Sequence, residues 1–322
     1  MPDRVLEKII SFAGFQSLLT LRKTCQDFRV FVDESFSKVN CTSISLDFRP
    51  DKITFISNFS DREDEEITYR KHENGCVIQQ KLIENADFVD SFFEDFQLLL
   101  NFLELPLPRS SLKFEYTNDE TDQYILSIQK KIKTVLESRS SKFQVEKFIM
   151  NAFNESQVLS ILPFLDSKFL KEIWILDSEF WLGVDQIMEI NEVVKLAQWK
   201  SARQIVIRRC IPNESVQYFS HFKVAFIAFF MLNAEDVETF KKVFLQSKSL
   251  KKLRFEYANF NEKQQFFDNL GPPSKSNSEE NWYFKIQNTD KALHISHNPQ
   301  YKNIVFTRIE LSSVPKEIVS RD

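Results

Sequence analysis

Glycine is scarce in this sequence. Its 322 residues include four glycines, whereas about 23 would be expected at the average abundance of about 7%. The four stand far apart, at Gly14, Gly75, Gly183 and Gly271. A Rossmann fingerprint needs three closely spaced glycines and a P-loop needs two, so neither motif is present. The sequence therefore excludes nucleotide binding through a glycine-rich loop.

Cysteine is also scarce, with four residues. These residues, Cys25, Cys41, Cys76 and Cys210, lie far apart, and no pair has the spacing of metal ligands. A chain of this length does not need disulfides to hold its fold. We therefore expect reduced thiols and an intracellular protein, in the cytoplasm or the nucleus.

The four histidines offer no recognisable catalytic or metal site. His294 and His297 are three residues apart in a segment with strand character, which places them on opposite faces unless a turn intervenes. His72 and His221 have no nearby serine or cysteine in a nucleophile motif. The sequence predicts a protein that is not an enzyme and that holds neither a metal nor a cofactor.

A basic excess and a long apolar segment are missing as well. The formal net charge is -4 and the isoelectric point is about 5.8, which argues against a nucleic-acid partner. Asp3 and Arg4 interrupt the first residues, so no signal peptide is expected. The longest uncharged apolar run, Val224–Leu232, is far shorter than the roughly 20 residues of a membrane span. We interpret this run as a buried strand and expect no membrane association.

What the sequence does contain is ample material for a core, with 43% hydrophobic residues and 33 phenylalanines. Apolar residues follow helical spacing up to about residue 40, with Gly14 separating a first helix from the next. From about residue 42 they alternate, as at Ile44, Leu46 and Phe48. Residues 67–79, interrupted by Gly75 after an asparagine, favour a β-hairpin.

Beyond residue 85, helical segments alternate with short apolar segments. Helical periodicity covers residues 88–103, 124–136, 158–165, 187–199 and 237–245. The short segments share an apolar-x-x-apolar-x-apolar frame that begins at Val145, Leu170, Ala202, Phe222 and Leu250. These starts are 25, 32, 20 and 28 residues apart, close to the roughly 20 to 29 residues of a leucine-rich repeat.

The frame predicts an α/β fold in which parallel strands, each followed by a helix on the same side, form an irregular leucine-rich-repeat-like solenoid. Residues 271–281 read as a loop, followed by closing strands. An ordinary α/β sheet whose strands share the frame by chance is the alternative, because the spacing is irregular. We divide the chain into helical residues 1–40, a β-hairpin connecting region at 41–84 and a repeat domain at 85–322.

In such a solenoid, the buried positions of the frame include Ile173, Ile175, Ile205 and Ile207. The alternating positions then face the concave side of the sheet. Trp174, Gln204 and Val206, with Glu172 beside them, are therefore the candidate residues for binding a protein substrate.

The first 40 residues resemble an F-box. The residues that carry this resemblance are Met1-Pro2, Val5-Leu6, Ile9-Ile10, Leu18-Leu19, Leu21-Arg22, Cys25 and Phe28-Arg29. The rest of the chain resembles the FTH domain that accompanies F-boxes in a large nematode-expanded family. This second resemblance depends on Ile161-Leu162-Pro163, Gln198-Trp199-Lys200, Ala202, His221-Phe222 and Ala234-Glu235-Asp236-Val237.

The resemblance implies a non-catalytic substrate-recognition subunit of a Skp1-cullin-F-box type ubiquitin ligase. Its N-terminal helices would dock on a Skp1-type adaptor, and the repeat domain would bind a protein substrate of unknown identity. The implied adaptor contacts are Pro2, Val5, Leu6, Ile9, Leu18, Leu21, Arg22, Cys25 and Phe28. Three short helices within the first 40 residues cannot bury all of Leu6, Ile9, Leu18, Leu21 and Phe28 among themselves, so some apolar surface is left for a partner.

Two alternatives remain open at this point. The repeat domain could cover the apolar face of the N-terminal helices within the chain. Separately, the protein could be an interaction scaffold that binds protein partners through the repeat surface without recruiting a ligase.

Overall fold

The computed structural model of the chain describes residues 14–35, 41–60, 62–103, 105–114, 119–176, 187–276 and 279–315. Its α-helices are α1 (Phe15–Arg22), α2 (Gln26–Ser35), α3 (Phe88–Phe102), α4 (Asp119–Glu137), α5 (Glu155–Leu159), α6 (Ala197–Ser201), α7 (Ala234–Gln246) and α8 (Lys263–Leu270). Short 3₁₀ turns lie at Leu162–Phe164, Val193–Lys195, Asn213–Phe219 and Leu311–Ser313.

The strands are β1 (Ser43–Arg49), β2 (Lys52–Asn58), β3 (Glu65–His72), β4 (Gly75–Ile78), β5 (Lys81–Glu84), β6 (Leu107–Phe114), β7 (Val145–Asn151), β8 (Glu172–Leu176), β9 (Gln204–Cys210), β10 (Val224–Leu232), β11 (Lys252–Phe260), β12 (Ser274–Ser276), β13 (Glu279–Lys285), β14 (Lys291–Asn298) and β15 (Asn303–Glu310). The protein is therefore a mixed α/β chain. Where the structure describes residues 1–40, it contains the predicted helices, α1 and α2.

The chain divides into two compact units. The first comprises Met1–Asn151 and Ser160–Leu170, and the second comprises Ala152–Leu159 and Lys171–Asp322. This division follows the packing of the chain and does not coincide with the boundaries expected after residues 40 and 84. Those boundaries stay predictions.

The first unit contains a seven-stranded part of the sheet in the order β7-β6-β1-β2-β3-β4-β5. β7, β6 and β1 are parallel, and the remaining neighbours are antiparallel. Aromatic rings join the sheet to α3. The Phe92 ring centroid lies 5.7 Å from that of Phe48 and 5.4 Å from that of Tyr69, both edge to face. Asp87 caps α3 by accepting hydrogen bonds from the backbone N–H groups of residues 89 and 90.

The hairpin predicted around Gly75 is confirmed. β3 and β4 are antiparallel, with His72 opposite Gly75 and a two-residue turn between them. Ile44, Leu46 and Phe48, which alternate in the sequence, are buried along β1 as expected.

The second unit contains an eight-stranded part in the order β12-β13-β14-β15-β11-β10-β9-β8. β8, β9, β10 and β11 are neighbours in chain order and all parallel, as the frame predicts. The apolar run at Val224–Leu232 forms β10, one of the central strands of this unit. The sheet continues from β11 through antiparallel strands. The arrangement shows a large α/β sheet, and the solenoid stays a prediction.

The core of the second unit is also aromatic. Phe240 on α7 stacks on Phe229 of β10 with centroids 4.9 Å apart and meets Phe255 of β11 edge to face at 5.1 Å. Asn233 and Asp236 form a capping box at the start of α7, which fixes where this helix begins. Trp199 is 1% exposed and packs edge to face on Phe222.

Two segments predicted to be single helices differ from that prediction. Residues 187–199 contain the Val193–Lys195 turn and the start of α6 instead of one long helix, because Leu196 has an extended backbone between the two. The helix expected at 158–165 ends with α5 at Leu159, and Pro163, which has no N–H for a helical hydrogen bond, lies in a 3₁₀ turn.

The segment 271–281, expected to be a loop, contains β12 and the beginning of β13, which pair with each other. In this short antiparallel ribbon, strand pairing outweighs the low strand propensity of the serine and lysine residues of β12.

Candidate protein-binding surfaces

The helical surface of α1 and α2 contains some of the residues expected to contact an adaptor. Leu21, Arg22 and Phe28 are half-buried, Cys25 is exposed, and Leu18 is fully buried. Pro2, Val5, Leu6 and Ile9 lie outside the described residues. In this conformation Leu18 supports the packing of α1 and presents no surface to a partner.

The α1 helix is held against the sheet of the first unit by aromatic contacts. The Phe15 ring lies 5.8 Å from that of Phe55 and 5.9 Å from that of Phe59. Phe15 is itself fully buried. The chain thus covers the inward face of α1 with residues of the 41–84 region, whereas the open alternative assigned this cover to the repeat domain. The side carrying Leu21 and Cys25 remains accessible to different degrees.

Charged groups fix the orientation of the two helices. The Arg22 guanidinium donates two hydrogen bonds to the Asp33 carboxylate, from Nε to Oδ1 at 2.7 Å and from Nη2 to Oδ2 at 2.8 Å. This bidentate pair links α1 to α2, and the hydrogen bond to Asp33 raises the pKa of Arg22 above its ordinary value. Arg22 therefore supports the helix pair through Asp33 in the structure described here.

A cavity of about 800 Å³ opens beside α1 in the first unit. Its floor contains the buried Asp95 carboxylate, which accepts hydrogen bonds from the Tyr69 hydroxyl at 3.0 Å and from Lys23 Nζ at 3.2 Å. Burial and the neighbouring Asp95 carboxylate raise the pKa of Tyr69 far above its ordinary value, so its hydroxyl stays protonated and donates. The cavity is lined further by side chains of β3, β4 and β5.

The second unit presents a partly accessible sheet face, which we call the open face. Its residues on the four parallel strands are Glu172, Trp174, Gln204, Val206, Val224, Phe226, Lys252 and Arg254. Between them the intervening positions Ile173, Ile175, Ile205 and Ile207 are buried, which confirms the predicted alternation.

Two rows of side chains cross the open face. Trp174, Val206, Phe226 and Arg254 lie opposite one another in one row on successive strands. The structure therefore brings the predicted residues Trp174 and Val206 together, with Gln204 in the adjacent row. Val206 is only 3% exposed, because it stands between two larger side chains, and offers little surface of its own.

Phe226 and Arg254 were missed by the sequence reasoning, although the same frame contains them. They occupy the position that Trp174 occupies in its own frame, between two buried residues. Lys252 Nζ and the guanidinium carbon of Arg254 lie 5.7 and 6.0 Å from the centre of the Phe226 ring. Arg254 also pairs with Glu256 at 2.7 Å. The open face thus combines an aromatic surface with both signs of charge, the composition of many protein interfaces.

The two histidines of β14 lie on opposite faces, as predicted. His294 stacks on Tyr283 with ring centroids 4.7 Å apart, whereas His297 is fully buried. His297 is within hydrogen-bond distance of the Tyr257 hydroxyl, at 2.7 Å, and of Glu280, at 2.8 Å. No group of three or more metal-ligating side chains suited to a metal ion occurs among the described residues.

All four cysteines are free thiols. Cys41 and Cys76 are buried, and burial raises the pKa of Cys41 to about 11, so it is a packed thiol without nucleophilic character. In the part of the chain that the structure describes, no helix has both the length and the apolarity that crossing a bilayer requires.

Comparison with curated proteins and with solved structures gives no match for this chain. The family comparison does give one, which covers most of the parallel strands described above. Residues 127–269 match the FTH domain, which supports an FTH-domain protein.

Proposed function

We propose that the protein is a non-catalytic substrate-recognition subunit of a Skp1-cullin-F-box type ubiquitin ligase. The observation that carries this proposal is the FTH match at residues 127–269, because the FTH domain is a family associated with F-box proteins. The F-box-like sequence of the first 40 residues supports it independently.

The adaptor side of the proposal rests on α1 and α2. Leu21, Cys25 and Phe28 give these helices a mixed apolar surface, and the Arg22–Asp33 pair holds the helices together. An apolar helix face is a common way to dock on a partner protein. Residues 1–13 complete the proposed adaptor-binding segment and lie outside the described residues.

The substrate side rests on the open face. Trp174 and Phe226 are half-buried aromatic residues in register across three strands, with Val206 between them. Aromatic side chains that protrude from a rigid sheet lose little conformational entropy on binding, which suits them to anchor a protein partner. In the proposed ligase, the substrate would bind here while the N-terminal helices bind the adaptor.

A binding experiment with a purified Skp1-type adaptor tests this function. We expect the full chain to bind the adaptor, and Phe28→Asp to weaken that binding at least about tenfold, since a charge in an apolar contact is costly to desolvate. Leu126→Asp on α4 is the control, because Leu126 is an apolar helical residue, 48% accessible, outside the proposed adaptor surface. The control should bind as the wild type does.

The alternative function is an interaction scaffold that acts without a ligase, and the burial of Leu18 and Phe15 within the chain favours it. A folded wild-type chain that does not bind the adaptor would support the scaffold and contradict the ligase. Equal loss of binding in the Phe28 and Leu126 variants would show that the adaptor contact is not specific to α2.

A further inference from the structure

The second position of the repeated frame carries a positive charge in four of its five occurrences. These residues are Lys171, Arg203, Lys223 and Lys251, each directly after the first apolar residue of its frame. The remaining frame, at Val145, has Glu146 at this position and belongs to the first unit. The four positive residues all belong to the second unit and immediately precede β8, β9, β10 and β11.

Backbone hydrogen bonds place the four residues in register, and we call them the basic row. The Arg203 N–H donates to the Lys171 carbonyl at 2.8 Å, that of Lys223 to Arg203 at 2.7 Å, and that of Lys251 to Lys223 at 2.9 Å. Neighbouring strands lie about 4.8 Å apart, so the row spans roughly 15 Å. All four residues are exposed.

The loops that lead into β9, β10 and β11 contain no negative charge, whereas the loop before β8 contains Asp166. Residues 196–203, 217–224 and 245–252 include no aspartate or glutamate, and they add Lys200, Lys248 and Lys252 to the positive charge of the row. Within the described part of the chain, the side chains of Arg203, Lys223 and Lys251 take part in no ion pair. This local positive surface contrasts with the net charge of -4 of the whole chain.

Like-charged residues whose backbones are held one strand spacing apart repel one another and favour the binding of an opposite charge. We propose that the basic row binds an extended acidic segment of a partner protein, one rich in aspartate and glutamate. The identification of this partner as a substrate rests on the proposed ligase function. Binding to the row itself does not depend on an adaptor.

The shape of the row favours a carboxylate-rich peptide over other polyanions. Three of its four residues are lysines, which act as point charges, and they lie along a line instead of converging on one phosphate. In an extended peptide, alternate side chains recur about every 6.6 Å, a spacing that can follow such a line. A long nucleic acid would meet the negative charge of the rest of the chain.

The open face begins on the same strands, directly after the basic row. Glu172, Gln204, Val224 and Lys252 form the first row of the strands that the basic residues precede, and Trp174 and Phe226 follow in the next. Lys171 and Trp174 are three residues apart, so strand alternation directs their side chains to opposite faces. The open face is therefore a separate surface from the basic row.

The test is fluorescence anisotropy with a labelled peptide of twelve glutamates and the full-length chain. The variant reverses three charges, Arg203→Glu, Lys223→Glu and Lys251→Glu. The control reverses three exposed lysines elsewhere, Lys71→Glu, Lys130→Glu and Lys242→Glu, so both variants have the same net charge. Circular dichroism melting establishes that each is folded, and the milder triple change to glutamine replaces the first variant if it is not.

We expect the wild type to bind the peptide, with an affinity that falls as salt is raised from about 50 to 300 mM. The basic-row variant should bind at least about tenfold more weakly, and the control should stay within about twofold of the wild type. Similar losses in both triple variants would overturn the proposal, because they would reflect net charge alone.

Separate probes distinguish other partners. A serine-glycine peptide of the same length should not bind. Tighter binding of a singly phosphorylated peptide, of a 20-nucleotide single-stranded DNA or of vesicles containing anionic lipid would contradict the acidic-segment proposal and identify that partner class instead. Because no adaptor is present, failure here leaves the adaptor experiment unaffected, and failure of adaptor binding leaves this one unaffected.

Discussion

His297 is an ionisable residue enclosed completely by the core of the second unit. A neutral imidazole with its proton on Nδ1 satisfies both neighbours, since Nδ1–H donates to Glu280 and Nε2 accepts from the Tyr257 hydroxyl. Burial lowers the pKa of His297 more than Glu280 raises it, and Lys263 lowers it further. Burial also raises the pKa of Tyr257 to about 12, so the phenol stays protonated. The neutral imidazole is thus the form of His297 that the fold selects.

This pKa shift predicts a loss of stability in mild acid. The unfolded chain protonates His297 near its ordinary pKa of about 6.5, whereas the folded chain protonates it only at lower pH. The stabilisation is therefore complete above about pH 6.5 and decreases as the pH falls below that value. Urea unfolding at pH 7.5 and 5.5 should show a smaller decrease for His297→Gln than for the wild type. Burial lowers the pKa of His294 as well. The same measurement on His294→Asn therefore separates the contribution of His294 from that of His297.

At the scale of an element, the meander from β3 to β5 depends on Gly75. Its φ is +146°, and a Cβ there would lie 2.1 Å from the Ile83 carbonyl oxygen, a backbone atom that cannot move alone. Gly75→Ala should therefore destabilise the first unit by about 3 kcal/mol, from strain and overpacking together. Chemical denaturation followed by circular dichroism measures this loss.

Gly14→Ala is the control for this substitution. The atoms nearest to a Cβ at Gly14 all belong to the carboxylate end of Glu65, the first at 1.5 Å, and a side-chain end can turn away. Its cost should stay below about 1 kcal/mol. Equal losses of unfolding free energy in the two variants would show that the contact with the β5 backbone does not account for the cost at Gly75.

Elements with a strong local pattern could be predicted from the sequence. The repeated apolar frame correctly predicted the parallel strands of the second unit. Burial of one face of a strand imposes a period of two on the apolar residues, and this period is visible in the sequence. The alternation at Ile44 gave β1 in the same way. Residues 187–199 were predicted incorrectly, since apolar spacing alone does not reveal the extended backbone at Leu196 that separates two short turns.

At the scale of the whole molecule, the proposed binding surfaces depend on which strands are neighbours and on their register. The open face was partly predicted, with Trp174 and Gln204 in their expected places, but Phe226 and Arg254 required knowing which strands are neighbours. The basic row likewise could not be predicted without the strand register. Four charges separated by 20 to 32 residues look like ordinary surface lysines and arginine in the sequence, and only the hydrogen-bonded alignment of their strands brings them together.

The two proposed surfaces belong to different compact units, each with its own aromatic core. Changes at one should therefore leave the other folded and active, because distant substitutions without shared partners act independently. We expect Phe28→Asp to lose adaptor binding while binding the glutamate peptide within about twofold of the wild type. The triple reversal of the basic row should give the opposite result, with adaptor binding retained and peptide binding lost.

Measuring both affinities for both variants checks this independence. A variant that loses both activities while its melting curve is unchanged would contradict it, and would mean that the adaptor and the acidic segment compete for one surface.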